Sequence, residues 1–294
     1  KTEDKISELQ NLIEKHYMGD VKEKNLEDGV YKGYINGLND PYSVYYNKKE
    51  TKELYESTGG EYSGIGAVMS QNTETGVITL VQIYKDSPAE KAGLKENDIL
   101  YKVEGKEVTG KDLSKVVSKV KGEKGTTVEL TVLRGEDAKE VTVTATRDAV
   151  QAQTIEYKMM DDKIGYIRVS EFDTVTYDQY KEALDDLEKQ GMTGLVVDLR
   201  NNPGGSLSTV CDMLDLMLPK GLIVYTEDKN GKKTEMKSDE EHQFTKPLAV
   251  LVNGNSASAS EIYSGAIQDY GIGKIVGTQT YGKGVVQQIF DLDD

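Results

Sequence analysis

Along the first forty residues, apolar side chains recur at helical spacing. Ile6, Leu9, Leu12, Ile13 and Tyr17 form one set, and Leu26, Val30, Tyr34 and Leu38 form another after a break near Gly19-Asp20. Pro41 ends the second helix, because proline disfavours a helical residue before it, and the tyrosine-rich 41–46 reads as extended or turn. Near Gly59-Gly60 the period shortens. Residues 65–67, 77–83, 98–103, 127–132 and 140–146 read as strands, with a short helix at 88–92 closed by Gly93 and a longer one at 111–121 closed by Gly122. From about Val150 the texture changes again. Strands at 163–169, 194–199, 248–252 and 273–277 alternate with helices at 177–190, 207–218 and 261–267.

Alternation of that kind predicts an α/β fold with a mainly parallel sheet and crossover helices. Active sites of such sheets lie where strands end at their C-terminal edge, and two glycine-bearing loops fall there, Arg200-Asn-Asn-Pro-Gly-Gly205 and Asn253-Gly-Asn-Ser-Ala-Ser258. The middle section, with its short strands and two helices, suits a PDZ domain, which binds an extended peptide along a strand edge. In Ser63-Gly-Ile-Gly-Ala67, residues Gly64, Ile65 and Gly66 would offer bare backbone N–H groups to a terminal carboxylate. The downstream run from Ser87-Pro-Ala-Glu to Asp98-Ile-Leu100 supports that module. Three domains follow: a helical packing or dimerisation segment over 1–58, the PDZ domain over 59–148 and a catalytic α/β core over 149–294.

The net charge of −15 turns nucleic acid into an unlikely partner and fits a well-solvated surface. The lone cysteine, Cys211, excludes an internal disulfide and sits in an apolar run suited to a core. No apolar stretch approaches the ~20 residues of a membrane span, and no signal peptide is visible. The chain opens in a helix at Lys1 without a methionine, so an upstream segment is expected.

Several chemistries compete for the second half. Gly277-Thr-Gln-Thr-Tyr-Gly-Lys283 spells a phosphate-binding loop, but Gly284 follows where Ser or Thr should hold Mg²⁺. A serine triad needs a histidine, and only His16 and His242 exist, in a helix and a charged stretch. Two distant histidines and one cysteine do not make a zinc site. No cofactor or metal is expected. The remaining pair is serine and lysine. A hydroxyl in the turn from the strand at 248–252 to the next helix would face unpaired N–H groups suited to an oxyanion. Against that, Ser258-Ala-Ser-Glu261 is also a capping box, which needs no chemistry. A lysine can act as base only when neutral, and its reference pKa of ~10.4 leaves about one part in a thousand neutral near pH 7.4. Lys283 lies between two glycines in a stretch without acid from Val276 to Phe290, which suits a lysine kept from carboxylates. Gln287 and Gln288 would orient it through a neutral amide.

Ser256-Ala-Ser-Ala-Ser-Glu-Ile262, Gln268-Asp-Tyr270 and Thr280-Tyr-Gly-Lys-Gly-Val-Val-Gln-Gln288 closely resemble the C-terminal processing (tail-specific) peptidases. Leu38-Asn-Asp-Pro-Tyr-Ser43 resembles the family's N-terminal segment, Tyr62 to Arg147 its PDZ domain, and Asp198 to Gly205 its oxyanion loop. The resemblance implies a crotonase- or Clp-protease-like core and a serine endopeptidase working through an acyl-enzyme. It assigns the nucleophile to Ser258, the base to Lys283, 25 residues on, and the orienting amide to Gln287. It assigns the oxyanion donors to Ala259 and to Gly204 or Gly205. The PDZ domain would capture free C-termini of protein or peptide substrates. Arg134, in an otherwise lysine-rich module, would signal occupancy to the core. The family works outside the cytoplasmic membrane, which implies a periplasmic, envelope or secreted protein, anchored or signal-bearing at full length. Its members continue past the Gln-Gln segment, so further strands are expected beyond Asp294. Two other readings share the scaffold: a non-catalytic peptide- or ligand-binding protein, which loss of Ser258 or Lys283 would favour, and a crotonase-like acyl-transfer enzyme, which would want basic contacts for a CoA phosphate.

Overall fold

The two N-terminal helices, α1 (Thr2–His16) and α2 (Glu23–Asn36), form where the helical spacing places them, the second ending at Gly37, ahead of Pro41. In the computed structural model, which describes residues 1–239 and 241–292, they belong to a first unit of 1–52 and 287–294. Glu240 and the expected end of the core, Asp293-Asp294, lie outside the described residues. Neither helix buries a residue, so its apolar stripe stays in contact with water. Local polar contacts tie this unit together. Lys32 pairs with Glu50 at 2.5 Å, Asn47 Nδ2 donates to Asp28 at 2.9 Å, and Tyr31 and Tyr45 lie 5.2 Å apart between ring centroids. A third helix, α3 (Lys48–Gly59), lies in a stretch whose polar sequence carries no clear stripe, and the sequence reading missed it.

The second unit, 53–286, holds two cores. Its first part contains β1 (Glu61–Gly64), β2 (Ala67–Gln71), β3 (Ile78–Ile83), α4 (Pro88–Lys91), β4 (Ile99–Val103), β5 (Lys106–Glu107), α5 (Leu113–Val120), β6 (Thr127–Arg134), β7 (Lys139–Thr146) and β8 (Asp148–Gln151). Strands β2-β3-β4-β6-β7 form an antiparallel sheet with β5 beside β4, while β1 pairs with β8. Alternation buries Val128, Leu130 and Val132 of β6 on one face, against Val116 and Val120 of α5. The expected strand at 65–67 is corrected. Gly66 adopts φ 76° and divides β1 from β2. Its missing Cβ would stand 2.5 Å from the Ser87 side chain, so only glycine fits that approach.

The second part contains β9 (Ile155–Met159), β10 (Ile164–Val169), α6 (Thr176–Lys189), β11 (Gly194–Asp198), α7 (Leu207–Asp215), β12 (Gly221–Glu227), β13 (Lys233–Ser238), β14 (Leu248–Val252), α8 (Ala259–Asp269) and β15 (Lys274–Gly277). The sheet runs β15-β14-β11-β10-β9, with β10, β11, β14 and β15 parallel and β9 antiparallel at the edge. Helices α6, α7 and α8 bury Tyr180, Leu187, Met213, Leu214, Tyr263 and Ile267 in the same core as the β10, β11 and β14 residues Ile167, Val197 and Val250. That core fixes the C-terminal ends of β11 and β14 side by side, with Asp198 in register with Leu251. The α/β fold class expected from the sequence is the one present.

Candidate active site

Two loops leave the C-terminal edge of the sheet, one after β11 and one after β14. They are stitched by asparagines. Asn201 N–H donates to Asn253 Oδ1 at 3.0 Å, and Asn253 Nδ2 returns a bond to Asn201 Oδ1 at 2.9 Å. Asn255 Nδ2 adds a third at 3.1 Å. Ser256, fully buried, donates its hydroxyl to Leu199 O at 2.8 Å. Beneath the first loop, Arg200 grips buried Asp198 with bonds of 2.9 and 2.6 Å, and Tyr166 adds one of 2.7 Å. Burial would raise the Asp198 carboxyl, but these donors hold it below its ordinary range.

The chain then turns into α8 through Ser258. This residue has φ 54° and ψ −114°, a conformation that glycine enters freely and a residue with a Cβ does not. Ser258 is half-buried, and the next residue, Ala259, is 1% exposed at the first turn of α8. The first N–H groups of a helix have no partner within it, and the Ala259 N–H makes no hydrogen bond among the described residues. Gly204 packs directly onto this turn. A Cβ there would lie 2.8 Å from both Ala257 O and Ser258 Cβ, and 3.0 Å from Ala259 N. The bare side of Gly204 therefore leaves room beside the Ser258 hydroxyl. The two glycines differ in their N–H groups: that of Gly204 donates to Asn202 Oδ1 at 2.9 Å, and that of Gly205 has no partner among the described residues. Phe172 brackets the pair by donating to Gly204 O at 2.9 Å and accepting from Ser206 N at 2.7 Å.

Lys283 comes to the same place through Glu261. The Glu261 carboxylate accepts the Ser258 N–H at 2.9 Å, the Lys283 N–H at 2.9 Å and the Gly282 N–H at 2.6 Å. Ser258 and Lys283 thus share one oxygen, Oε2, through their main chains. Tyr281 N donates to Ser256 O at 3.0 Å and extends the seam. Burial would raise the Glu261 carboxyl, yet the Thr280 hydroxyl and the three N–H donors keep it below its ordinary value. The acid-free stretch of sequence around Lys283 therefore meets a carboxylate in space. The capping glutamate, read from the sequence only as a helix start, was the missed member of the site. Asn202 was missed as well, its only sequence signal being a polar residue wedged between a strand end and Pro-Gly-Gly. No helix follows Lys283 among the described residues, so Gly277–Lys283 lacks the helix of a phosphate-binding loop.

The other expected site residues have contacts of their own. Gln287 belongs to the first unit, where its Nε2 donates to Tyr42 O at 2.7 Å. Gly64 ends β1, Ile65 is buried, and their loop is tied by Ala89 N to Ile65 O at 2.7 Å and Tyr84 N to Gly66 O at 2.9 Å. The N–H groups of Ile65 and Gly66 make no hydrogen bond among the described residues, as a carboxylate-accepting loop requires. Arg134 turns inward: it holds buried Asp98 with bonds of 2.8 and 2.7 Å and the Gly93 carbonyl at 2.8 Å, all within the first part of the second unit. His16 and His242 are both exposed.

Known proteins resemble this chain in each of its parts. Residues 163–294 match the model of Peptidase family S41, residues 79–134 that of the PDZ domain, and residues 1–51 that of the activating protease CtpB N-terminal domain. The carboxy-terminal processing proteases CtpA and CtpB of Bacillus subtilis are each 37% identical, over 99% and 100% of this chain. The chain spans 62% of the length of either relative. Among solved structures, a photosystem II D1 C-terminal processing protease superposes with a TM-score of 0.52 at 27% identity, covering 94% of this chain and 76% of that one. With these three models in chain order and relatives aligned along its whole length, the chain is similar throughout to the PDZ-bearing C-terminal processing peptidases, and its residues 163–294 carry the match to Peptidase family S41.

Proposed function

We propose that the full-length protein is a serine endopeptidase that captures substrate C-termini and cleaves through Ser258 and Lys283. The observation that carries this reading is the Glu261 carboxylate, which accepts the N–H groups of both residues on one oxygen and so joins the nucleophile turn to the lysine loop. In the reaction, Ser258 Oγ bonds to the scissile carbonyl carbon as its proton passes to a neutral Lys283 amine. The carbonyl oxygen becomes an oxyanion, received by the Ala259 N–H and by a glycine N–H of the 204–205 pair. Collapse breaks the C–N bond, and the lysine proton goes to the leaving amine. Water, deprotonated by Lys283, then releases the acyl group. Gln287 is assigned to orient the lysine on the family resemblance.

The loop at Gly64, Ile65 and Gly66 is the proposed carboxylate receptor. Its unpaired N–H groups support that role, as does the β2 edge of the sheet, which is open to an added strand. A protein or peptide with an accessible C-terminus is the substrate class. The protein acts outside the cytoplasmic membrane, and its N-terminal helices mediate a homodimer. The test of activity uses an unstructured protein with an apolar C-terminal tail, incubated with the full-length protein and with Ser258→Ala and Lys283→Ala. Cleavage by the parent alone is expected. Equal cleavage by all three would reject the dyad, and no cleavage by a folded parent would favour a binding protein.

A further inference from the structure

Asn202 is wholly buried between two exposed neighbours, Asn201 and Pro203. Its side-chain Nδ2 donates to Val169 O at the end of β10 at 2.9 Å, and its Oδ1 accepts the Gly204 N–H at 2.9 Å. Its main-chain carbonyl accepts the Ala257 N–H at 3.1 Å and the Ser260 hydroxyl at 2.9 Å, one on each side of the Ser258–Ala259 pair. One residue therefore joins the sheet edge, the glycine loop and the nucleophile turn. The carboxamide matters because it donates and accepts at once. A carboxylate would face the Val169 carbonyl with no proton to give. A leucine of similar shape would leave both the Val169 carbonyl and the Gly204 N–H without partners. The loop has a second anchor at Phe172, which holds Gly204 O and Ser206 N without help from Asn202. Loss of the carboxamide would thus free the approach of Gly204 to Ser258 while leaving the loop attached.

We propose that Asn202 is a positioning residue for acyl transfer, holding Gly204 by its N–H and so setting the glycine loop at the distance from Ser258 at which the Gly205 N–H meets the oxyanion. It touches no reacting atom and acts through Gly204 and Ala257. The proposal rests on the reading of Ser258 as nucleophile. A residue that only supports folding would, when replaced, lower the amount of active protein. A residue that sets the oxyanion site lowers turnover and transition-state affinity together, with substrate binding kept.

The experiment compares the full-length parent with Asn202→Asp and Asn202→Leu, reading kcat, KM, melting temperature and affinity for a peptidyl boronate that forms a tetrahedral adduct on serine. The expected result is a fall in kcat of about 100-fold in the leucine variant, with KM within about threefold and boronate affinity falling in step with kcat. A folded variant with kcat within about threefold of the parent, or one whose loss sits wholly in KM, overturns the proposal. If neither variant folds, the Asn202 carboxamide resonances are followed in the unaltered protein as the boronate binds. Displaced resonances support the proposal, and unmoved ones overturn it. Equal peptide cleavage by the parent and Ser258→Ala, with no boronate adduct, rejects the nucleophile itself and the proposal with it.

Discussion

At the scale of single residues, the site depends on groups whose roles are set by main-chain contacts. Glu261 is the clearest case, because a carboxylate that accepts three N–H groups and a hydroxyl does work that neither a neutral acid nor an amide can repeat. Charge-assisted hydrogen bonds of this kind are worth about 2 kcal/mol each, so Glu261→Gln, which brings an NH₂ against N–H donors, is expected to cost about 2–3 kcal/mol of stability. It should also lower peptide cleavage by at least about tenfold, since the lysine loop loses its anchor. The sign with pH follows from the shift. The folded carboxyl is held below its ordinary 4.5, so its contribution is present above that value and is lost as pH falls through the lower folded one. Melting curves of parent and variant should therefore stand apart at pH 7 and draw together as the pH falls below the ordinary carboxyl range and through the lower folded value. A gap unchanged across that range would show that the charge is not what holds the loop.

At the scale of elements, one buried tyrosine pair ties α8 to α6. Tyr180 and Tyr263, both fully buried, share a hydroxyl–hydroxyl bond of 2.7 Å with their rings edge-on. Tyr263→Phe leaves the Tyr180 hydroxyl without a partner and is expected to cost about 1–3 kcal/mol, while the double change Tyr180→Phe with Tyr263→Phe recovers part of that loss. Additive losses in the double-mutant cycle would mean that the bond contributes little. Much at this scale was legible in the sequence. Buried strands such as β11 and β14 are continuous apolar runs, and α6 shows a stripe at Tyr180, Leu184 and Leu187, so solvent contrast wrote both patterns. The β12–β13 hairpin and β9 were not legible. Their residues are mostly exposed or half-buried and pair only with the neighbouring strand along the chain, so no burial pattern marks them out in the sequence. The site divides in the same way. Ser258 and Lys283 sit in distinctive motifs, whereas Glu261 and Asn202 act through main-chain partners that only the fold brings near.

For the molecule as a whole, the unfinished surface is in the first unit. Helices α1 and α2 bury nothing, while Leu9, Leu12, Val30 and Tyr34 stand 57, 48, 41 and 82% exposed. Apolar stripes of this extent are more often covered than left in water. If they mediate the proposed homodimer, sedimentation of the full-length protein should give a dimer, and Leu9→Glu with Leu12→Glu should give a folded monomer. A parent that sediments as a monomer at micromolar concentration would reject the dimer. The acidic surface does not oppose this, because a net charge of −15 is screened at physiological salt over about 8 Å. Within the second unit, Arg134 is legible only in place: its guanidinium satisfies a buried acid of its own module.

The backbone of Ser258 has a practical consequence for anyone who wants to catch this protein holding its cargo. A trap is usually made by changing the nucleophile to alanine, but alanine keeps the Cβ that φ 54° and ψ −114° penalise. Glycine removes both the hydroxyl and the penalty, which is of order 1–3 kcal/mol. Ser258→Gly should therefore melt above Ser258→Ala, and above the parent if the gain exceeds the added freedom of the unfolded chain. Alanine melting as high as glycine would mean the turn relaxes once the hydroxyl is gone. If glycine wins, Ser258 is the least comfortable residue in its own turn, and the protein without that hydroxyl is the sturdier bait.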